Sequence, residues 1–154
     1  MAVPRDNPYG AFNFRVTIDG IGGGNPDSIA AGFQEVSGLG TEVAIAEYRN
    51  GNERQNHVRK MIGLRKTSDA TFKRGVIGVK DFFDWIKATG DGDQNVRTTV
   101  TVELMDEART GPVMTWRLFD AVPMKYTAPT FNAKTGTDVA MEELTLSYTK
   151  LEVV

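Results

Sequence analysis

Strict alternation opens the readable part of the chain. Phe12, Phe14, Val16 and Ile18 fall on one side of an extended segment, and Asn13, Arg15, Thr17 and Asp19 fall on the other. A period of two marks a strand with one dry face. The glycine-dense run Gly20 to Ser28 reads as a loop between strands. Further strands are expected from Ala30 to Val36 and from Glu42 to Arg49, with a bend at Ser37-Gly38-Leu39-Gly40 where two glycines permit a bulge. The chain then turns abruptly polar from Asn50 to Asn56 before reaching the apolar Met61, Ile62 and Leu64. Ala31 to Leu64 therefore reads as two strands and a projecting arm, with the arm loop at about residues 50–60. Loops this long and wet are uncommon in compact domains. A mobile surface loop is the plain explanation, and an arm that orders against a second copy of the chain is the sharper one.

Beyond the arm, Ala70 to Arg74 is a short strand and Gly75 a turn. A helix is expected over Val76 to Thr89, because Val76, Val79, Phe82, Phe83 and Ile86 recur at helical spacing while Lys80, Asp84 and Lys87 take the wet side. Trp85 sits at the edge of that stripe, and Gly90 is placed to end the helix in a left-handed conformation. Alternation returns from Val96 to Met105, with Val96, Thr98, Val100, Val102 and Leu104 on the dry face. A hairpin loop at Asp106 to Gly111 leads into Val113 to Ala121, where Met114, Trp116 and Leu118 point inward. Pro123 and Pro129 are expected to interrupt pairing, and a last strand from Asp138 to Leu151 carries Leu144, Leu146 and Tyr148 inward. The fold class that follows is mainly β with one packed α-helix, a β-sandwich or barrel of about seven strands in a single domain over residues 1–154. The outer strand faces alternate threonine, serine, arginine and glutamate, which suits bulk water or the wall of an aqueous channel.

Composition narrows the chemistry. A chain of 154 residues with 40% hydrophobic and 25% charged residues can bury a core of its own. A formal charge of −2 argues against a dedicated nucleic-acid binder, and the lack of cysteine removes disulfides and thiolate metal sites. His57 is the only histidine, and Asp91, Asp93 and Glu53 do not follow calcium-loop spacing, so no metal or cofactor is expected. Ser37 lacks the G-x-S-x-G setting of a nucleophile, since Glu35 stands two residues before it. The Gly20 to Ser28 cluster lacks the lysine and hydroxyl residue of a phosphate loop. No catalytic role is expected. The N-terminal MAVPRDNPYG has no apolar run of signal-peptide length, which predicts synthesis and folding in the cytoplasm without membrane insertion.

Several stretches taken together resemble one family. They are F-x-F-x-V-x-I-D-G at Phe12 to Gly20, G-F-Q-E-V-S-G-L at Gly32 to Leu39, Y-R-N-G-N-E at Tyr48 to Glu53 and V-R-K-M-I-G-L at Val58 to Leu64. T-F-K-R-G at Thr71 to Gly75, W-R-L-F-D-A-V-P at Trp116 to Pro123 and M-E-E-L-T-L at Met141 to Leu146 continue the set. The order and content are similar to the tail tube (inner tube) proteins of contractile phage tails and phage-like extracellular contractile injection systems. The resemblance implies a hexameric ring with a continuous inner β-barrel around a hollow lumen, stacked head-to-tail into a tube inside a contractile sheath. It implies as partners further copies of the chain, the sheath protein, baseplate and spike hub proteins, a tube terminator and cargo in the lumen. By resemblance, Tyr48, Arg49, Gly51, Asn52, Glu53, Arg59 and Lys60 are candidate assembly contacts. The implied role is structural: a conduit driven by sheath contraction that delivers protein effectors through a target envelope, in a particle made in the bacterial cytoplasm and then released or anchored. A phage tail tube conducting DNA is the alternative. A monomeric β-barrel holding a small apolar ligand is a remote one, and it would need largely apolar inward faces around a cavity.

Overall fold

The computed structural model describes residues 6–19, 32–78, 80–93, 96–134 and 136–154. The expected Gly20 to Ser28 loop, the first residues of the leader and Val79 lie outside them. The elements run β1 (Phe14–Ile18), β2 (Glu35–Ser37), β3 (Thr41–Tyr48), β4 (Arg59–Thr67), β5 (Ala70–Gly75), α1 (Asp81–Gly90), β6 (Thr98–Met105), β7 (Pro112–Thr127), β8 (Met141–Ser147) and β9 (Lys150–Val153).

Period-two patterning places the core. Across β1, β6, β7 and β9, Ile18, Val100, Leu118 and Leu151 lie in one cross-strand row, and all four are buried. Across β5 and β8, Ala70 pairs Leu146 and Phe72 pairs Leu144, and these four are buried too. The two halves share β7, whose first part pairs β6 and β9 and whose end pairs β8. The switch falls at a bulge near Phe119 and Asp120, where Asp120 adopts φ 55°, and such a bulge bends a strand from one layer into the next. The result is a sandwich in which, among the described residues, β1, β2 and β9 each pair a single neighbouring strand.

Several expectations need correction. Pro123 does not interrupt pairing: β7 continues to Thr127 with Pro123 opposite Leu146, and an irregularity between Pro123 and Lys125 absorbs the missing donor. The helix begins at Asp81 rather than Val76, because Gly78 takes φ 83° and breaks the turn before it. Its end also differs, since Gly90 is still helical and the left-handed glycine is Gly92. Of the expected stripe, Phe82 is buried, whereas Val76 and Phe83 are about half exposed. Met105, read as outward, is buried because a register shift between Leu104 and Met105 turns it in. Phe12 precedes β1 and is exposed, and Met114 near the start of β7 is partly exposed. The last expected strand is two, β8 and β9, broken at Tyr148 and Thr149.

One inward position on each of β5 and β8 is charged. Continuing the dry face of Ala70 and Phe72 brings Arg74 inward, directly opposite Glu142. Both are buried. Arg74 Nε donates to Glu142 Oε1 at 2.7 Å, its Nη1 donates to Asp81 Oδ2 at 3.3 Å, and its Nη2 bonds Asp81 Oδ1. The guanidinium carbon lies 3.7 Å above the Phe82 ring, and Tyr126 donates to Glu142 Oε2 at 2.9 Å. Asp81 also accepts from the Phe82 amide at 2.9 Å. Burial works against the charge on Arg74, but its hydrogen bonds to Asp81 and Glu142 outweigh that and hold the guanidinium charged. Helix and sheet are thereby tied by a satisfied ionic network. Trp85 closes the other side, donating from Nε1 to the Val96 carbonyl at 2.9 Å while its ring packs on the core.

Candidate functional site

Two strands stand apart from the sandwich. β3 and β4 pair antiparallel with each other in a sheet of their own, and all of their residues except Thr67 are exposed. The sequence nevertheless puts Val43, Ile45, Met61, Ile62 and Leu64 there, with Ile62 at 84% and Leu64 at 79% exposure. Ile45 lies directly opposite Ile62, and Val43, two residues earlier on β3, shares their face. The other face carries Ala44, Ala46 and Tyr48, with Met61 opposite Ala46 and Arg59 opposite Tyr48. Between the pairs Val43 with Arg65 and Ile45 with Ile62 the register shifts, so β4 holds an extra residue at Gly63 and Leu64. Gly63 is needed there, since a Cβ would come within 2.9 Å of the Ala44 carbonyl oxygen. Glu42 faces Lys66 and Glu47 faces Lys60 across the ladder.

The arm has a fixed root. Gly38 takes φ 81°, and a Cβ would sit 2.1 Å from the Asp69 carbonyl oxygen, so only glycine fits. The Ser68 hydroxyl donates to the Gly38 carbonyl at 2.6 Å, and the Ser68 amide donates to the Gly40 carbonyl at 3.1 Å. The Tyr148 hydroxyl donates to the Gly40 carbonyl at 3.1 Å and accepts from the Gly40 amide at 3.2 Å. Thr67 donates to the Tyr148 carbonyl at 2.7 Å. These bonds tie the base of the hairpin to the β8–β9 junction.

All seven candidate contact residues lie on the arm. Tyr48 ends β3, Arg49, Gly51, Asn52 and Glu53 form the connecting turn, and Arg59 and Lys60 begin β4. Four of them shape the tip itself. Arg49 donates to the carbonyls of Glu53 at 3.0 Å and Gln55 at 3.2 Å, Arg59 pairs with Glu53 at 2.9 Å, and the Tyr48 hydroxyl bonds Asn50. Gly51 and Asn52 are exposed at the apex, and Lys60 is exposed across from Glu47. The polar run Asn50 to Asn56 is thus only the tip of a hairpin, and the apolar residues after it form its second strand. Sequence reasoning passed over Met61, Ile62 and Leu64 as contact candidates; the signal was there in a β-rich run whose alternation is broken by Gly63.

Charge separates arm from body. Residues Thr41 to Thr67 hold six Lys or Arg and three Glu, a formal +3. The whole chain has 18 basic and 20 acidic residues, leaving twelve against seventeen elsewhere, a formal −5. Beside the root, between the edge strands β1 and β2, the sandwich opens into a groove of about 550 Å³ lined mainly by Phe14, Val36, Leu39, Val102, Leu104 and Trp116. The catalytic candidates are not brought together: His57 is exposed on the arm turn, and Ser37 is exposed on β2 opposite Thr71. Among the described residues, no group of three or more His, Cys, Asp or Glu side chains is placed to hold a metal ion. No described helix is long and apolar enough to cross a membrane.

The sequence matches the family described as T4-like virus tail tube protein gp19 over residues 10–152, and the chain belongs to that family. Among solved structures it is similar to a chain of the sheath-tube complex of an extracellular contractile injection system, PVC, in the extended state. The identity there is 29%, with 97% of this chain and 93% of that chain covered and a TM-score of 0.78. A chain from the tube-terminating cap of the anti-feeding prophage, AFP, is 25% identical, with 100% and 95% covered and a TM-score of 0.77. Hcp1 from Flavobacterium johnsoniae shares the fold, at 14% identity, 91% and 93% coverage and a TM-score of 0.52. A search of curated protein sequences returned no match.

Proposed function

We propose that this chain is the inner-tube subunit of a phage-like contractile injection system, acting as one structural domain over residues 1–154 with no catalytic role. The observation that carries the reading is the β3–β4 arm, which leaves Val43, Ile45, Met61, Ile62 and Leu64 exposed together. An exposed apolar patch with free strand edges marks an interaction surface. Joining an arm to a different surface of the next copy is a heterologous contact, which closes into rings and, on stacking, builds a tube. Six subunits form each ring in this reading, and Tyr48, Arg49, Gly51, Asn52, Glu53, Arg59 and Lys60 act at or near the subunit contacts. Each contact buries roughly 2,000 Å² or more, as obligate assemblies do.

The wet face of the β1-β6-β7-β9 layer suits a lumen wall. Thr17, Thr101, Arg117 and Glu152 form one cross-strand row, and beside it Arg15 pairs Glu103 at 3.0 Å. Its charges are mutually compensated, and such a wall neither grips nor repels a passing protein cargo. In this reading the sheath protein covers the tube, baseplate and spike hub proteins seat it, and a terminator ends it. The tube assembles in the bacterial cytoplasm, and the particle is released or anchored.

The family's viral description supports a second reading, a phage tail tube conducting DNA. Negative-stain electron microscopy of the purified chain tests the shared claim: hollow tubes or rings with sixfold symmetry are expected, and a monomer at every concentration and salt would contradict it. Isolated native particles separate the cargoes, since nuclease-protected DNA in the lumen would favour the second reading and co-purifying protein the first.

A further inference from the structure

We propose that Asn50, at the tip of the β3–β4 hairpin, is a site of spontaneous deamidation that converts the unassembled chain to a mixture of aspartate and isoaspartate at that position. Asn50 is half-buried, Gly51 after it is exposed, and a Cβ built on Gly51 would meet nothing within 4 Å. Attack by a backbone nitrogen on the preceding side chain needs that open approach, and glycine allows it best because it has no Cβ and the widest backbone freedom. Every other asparagine of the chain is followed by a residue that carries a Cβ. Two more observations favour this position. The turn is closed by the Glu53 amide donating to the Asn50 carbonyl at 3.2 Å, so the Gly51 nitrogen is not the donor that holds it. The Tyr48 hydroxyl donates to Asn50 Oδ1, which draws electron density from Cγ, the atom to be attacked. Asn132 also has its Oδ1 bonded, by the Lys134 amide at 3.0 Å, but Ala133 follows it, which makes it an internal comparison.

The step needs only water and a base. Hydroxide takes the Gly51 amide proton, the nitrogen bonds Asn50 Cγ, and the Cγ–Nδ2 bond breaks, with Nδ2 leaving as ammonia after taking a proton from water. Water then opens the cyclic imide. Cleavage between Cγ and the Gly51 nitrogen gives aspartate, and cleavage between the Asn50 carbonyl carbon and that nitrogen gives isoaspartate, with the main chain rerouted through the side chain. No electron is gained or lost. Either product replaces a neutral amide by a carboxylate, which takes the arm from a formal +3 to +2. The new charge lies in a tip that Arg49 and Arg59 hold through the Glu53 and Gln55 carbonyls and the Glu53 carboxylate. The reaction belongs to a single chain and needs no second copy.

Purified chain, kept dilute and collected from the monomer fraction, is incubated at mildly alkaline pH and mapped by peptide mass spectrometry at intervals. Residue 50 is expected to convert first and to give both products, with isoaspartate recognised by isoaspartyl methyltransferase and a matching acidic species on ion exchange. Residue 50 intact when Asn52 or Asn132 has converted would overturn the proposal. Gly51→Ala places a methyl where there is room for one, so the fold is kept and conversion at residue 50 should slow at least severalfold while that at Asn132 is unchanged. Equal rates at residue 50 in the variant and in the unaltered chain would overturn it as well.

Discussion

At the helix end of the sandwich a guanidinium with no exposed surface sits between two carboxylates and over an aromatic ring, whereas on the arm Ile62 and Leu64 stand 84% and 79% exposed. Each region departs from apolar-inside, polar-outside, and in opposite directions. The difference lies in whether the chain itself supplies the missing partner. Arg74 meets Asp81 and Glu142 from its own fold, so the cost of burying the charge is offset within one molecule. Val43, Ile45, Ile62 and Leu64 are instead left exposed on the arm. On the proposed reading, stability resides in the body and assembly in the arm.

The largest effect is expected at the network. Arg74→Ala leaves the buried Glu142 and the half-buried Asp81 without their cation and should cost about 3–5 kcal/mol, read from denaturant unfolding of the monomeric protein. A loss below about 1 kcal/mol would mean that water already reaches the site. Next, Gly38→Ala should cost about 1–3 kcal/mol, since a side chain there meets the Asp69 carbonyl oxygen. Hydrogen exchange should speed up in β3 and β4 while β6 and β8 stay protected; uniform loosening would show that the root is not a separate unit. Ile62→Ala sharpens the contrast from the other side. The monomer should unfold within about 0.5 kcal/mol of the unaltered monomer, since the side chain is 84% exposed. A cost of about 2 kcal/mol or more would place Ile62 in a core. The smallest effect concerns Tyr126, whose phenol burial and the Glu142 carboxylate push up. The folded state therefore favours the neutral phenol: its contribution to stability is full below the ordinary value of about 10 and is lost as pH rises through the higher folded value. The phenolate absorbance difference between the unaltered chain and Tyr126→Phe should appear above the ordinary range, and ionisation at the ordinary value would contradict the hydrogen bond to Glu142.

Alternation made most of the body legible. Val16, Ile18, Val100, Val102, Leu118, Leu144 and Leu146 are all buried where a period of two places them. Departures came where the backbone leaves ideal geometry. The bulges at Asp120 and after Pro123 let β7 serve both layers, and Gly78 delays the helix, none of which periodicity encodes. The arm was legible as a projection but not in its extent, because Met61, Ile62 and Leu64 look like core residues until their partner strand is known to be β3. Arg74 was passed over as no more than the end of a short strand, although it shares the parity of Ala70 and Phe72. The groove joins residues from β1, β2, β6 and β7, so only the assembled topology reveals it.

The most direct test of the division between body and arm is the solution mass, by light scattering, of Ile62→Asp/Leu64→Asp beside the unaltered chain at the same concentration. The unaltered chain should assemble into rings or tubes, while the variant remains a monomer that is folded and unfolds cooperatively. Assembly of the variant to the same mass would contradict the account, because the arm's apolar face would then contribute nothing that holds copies together.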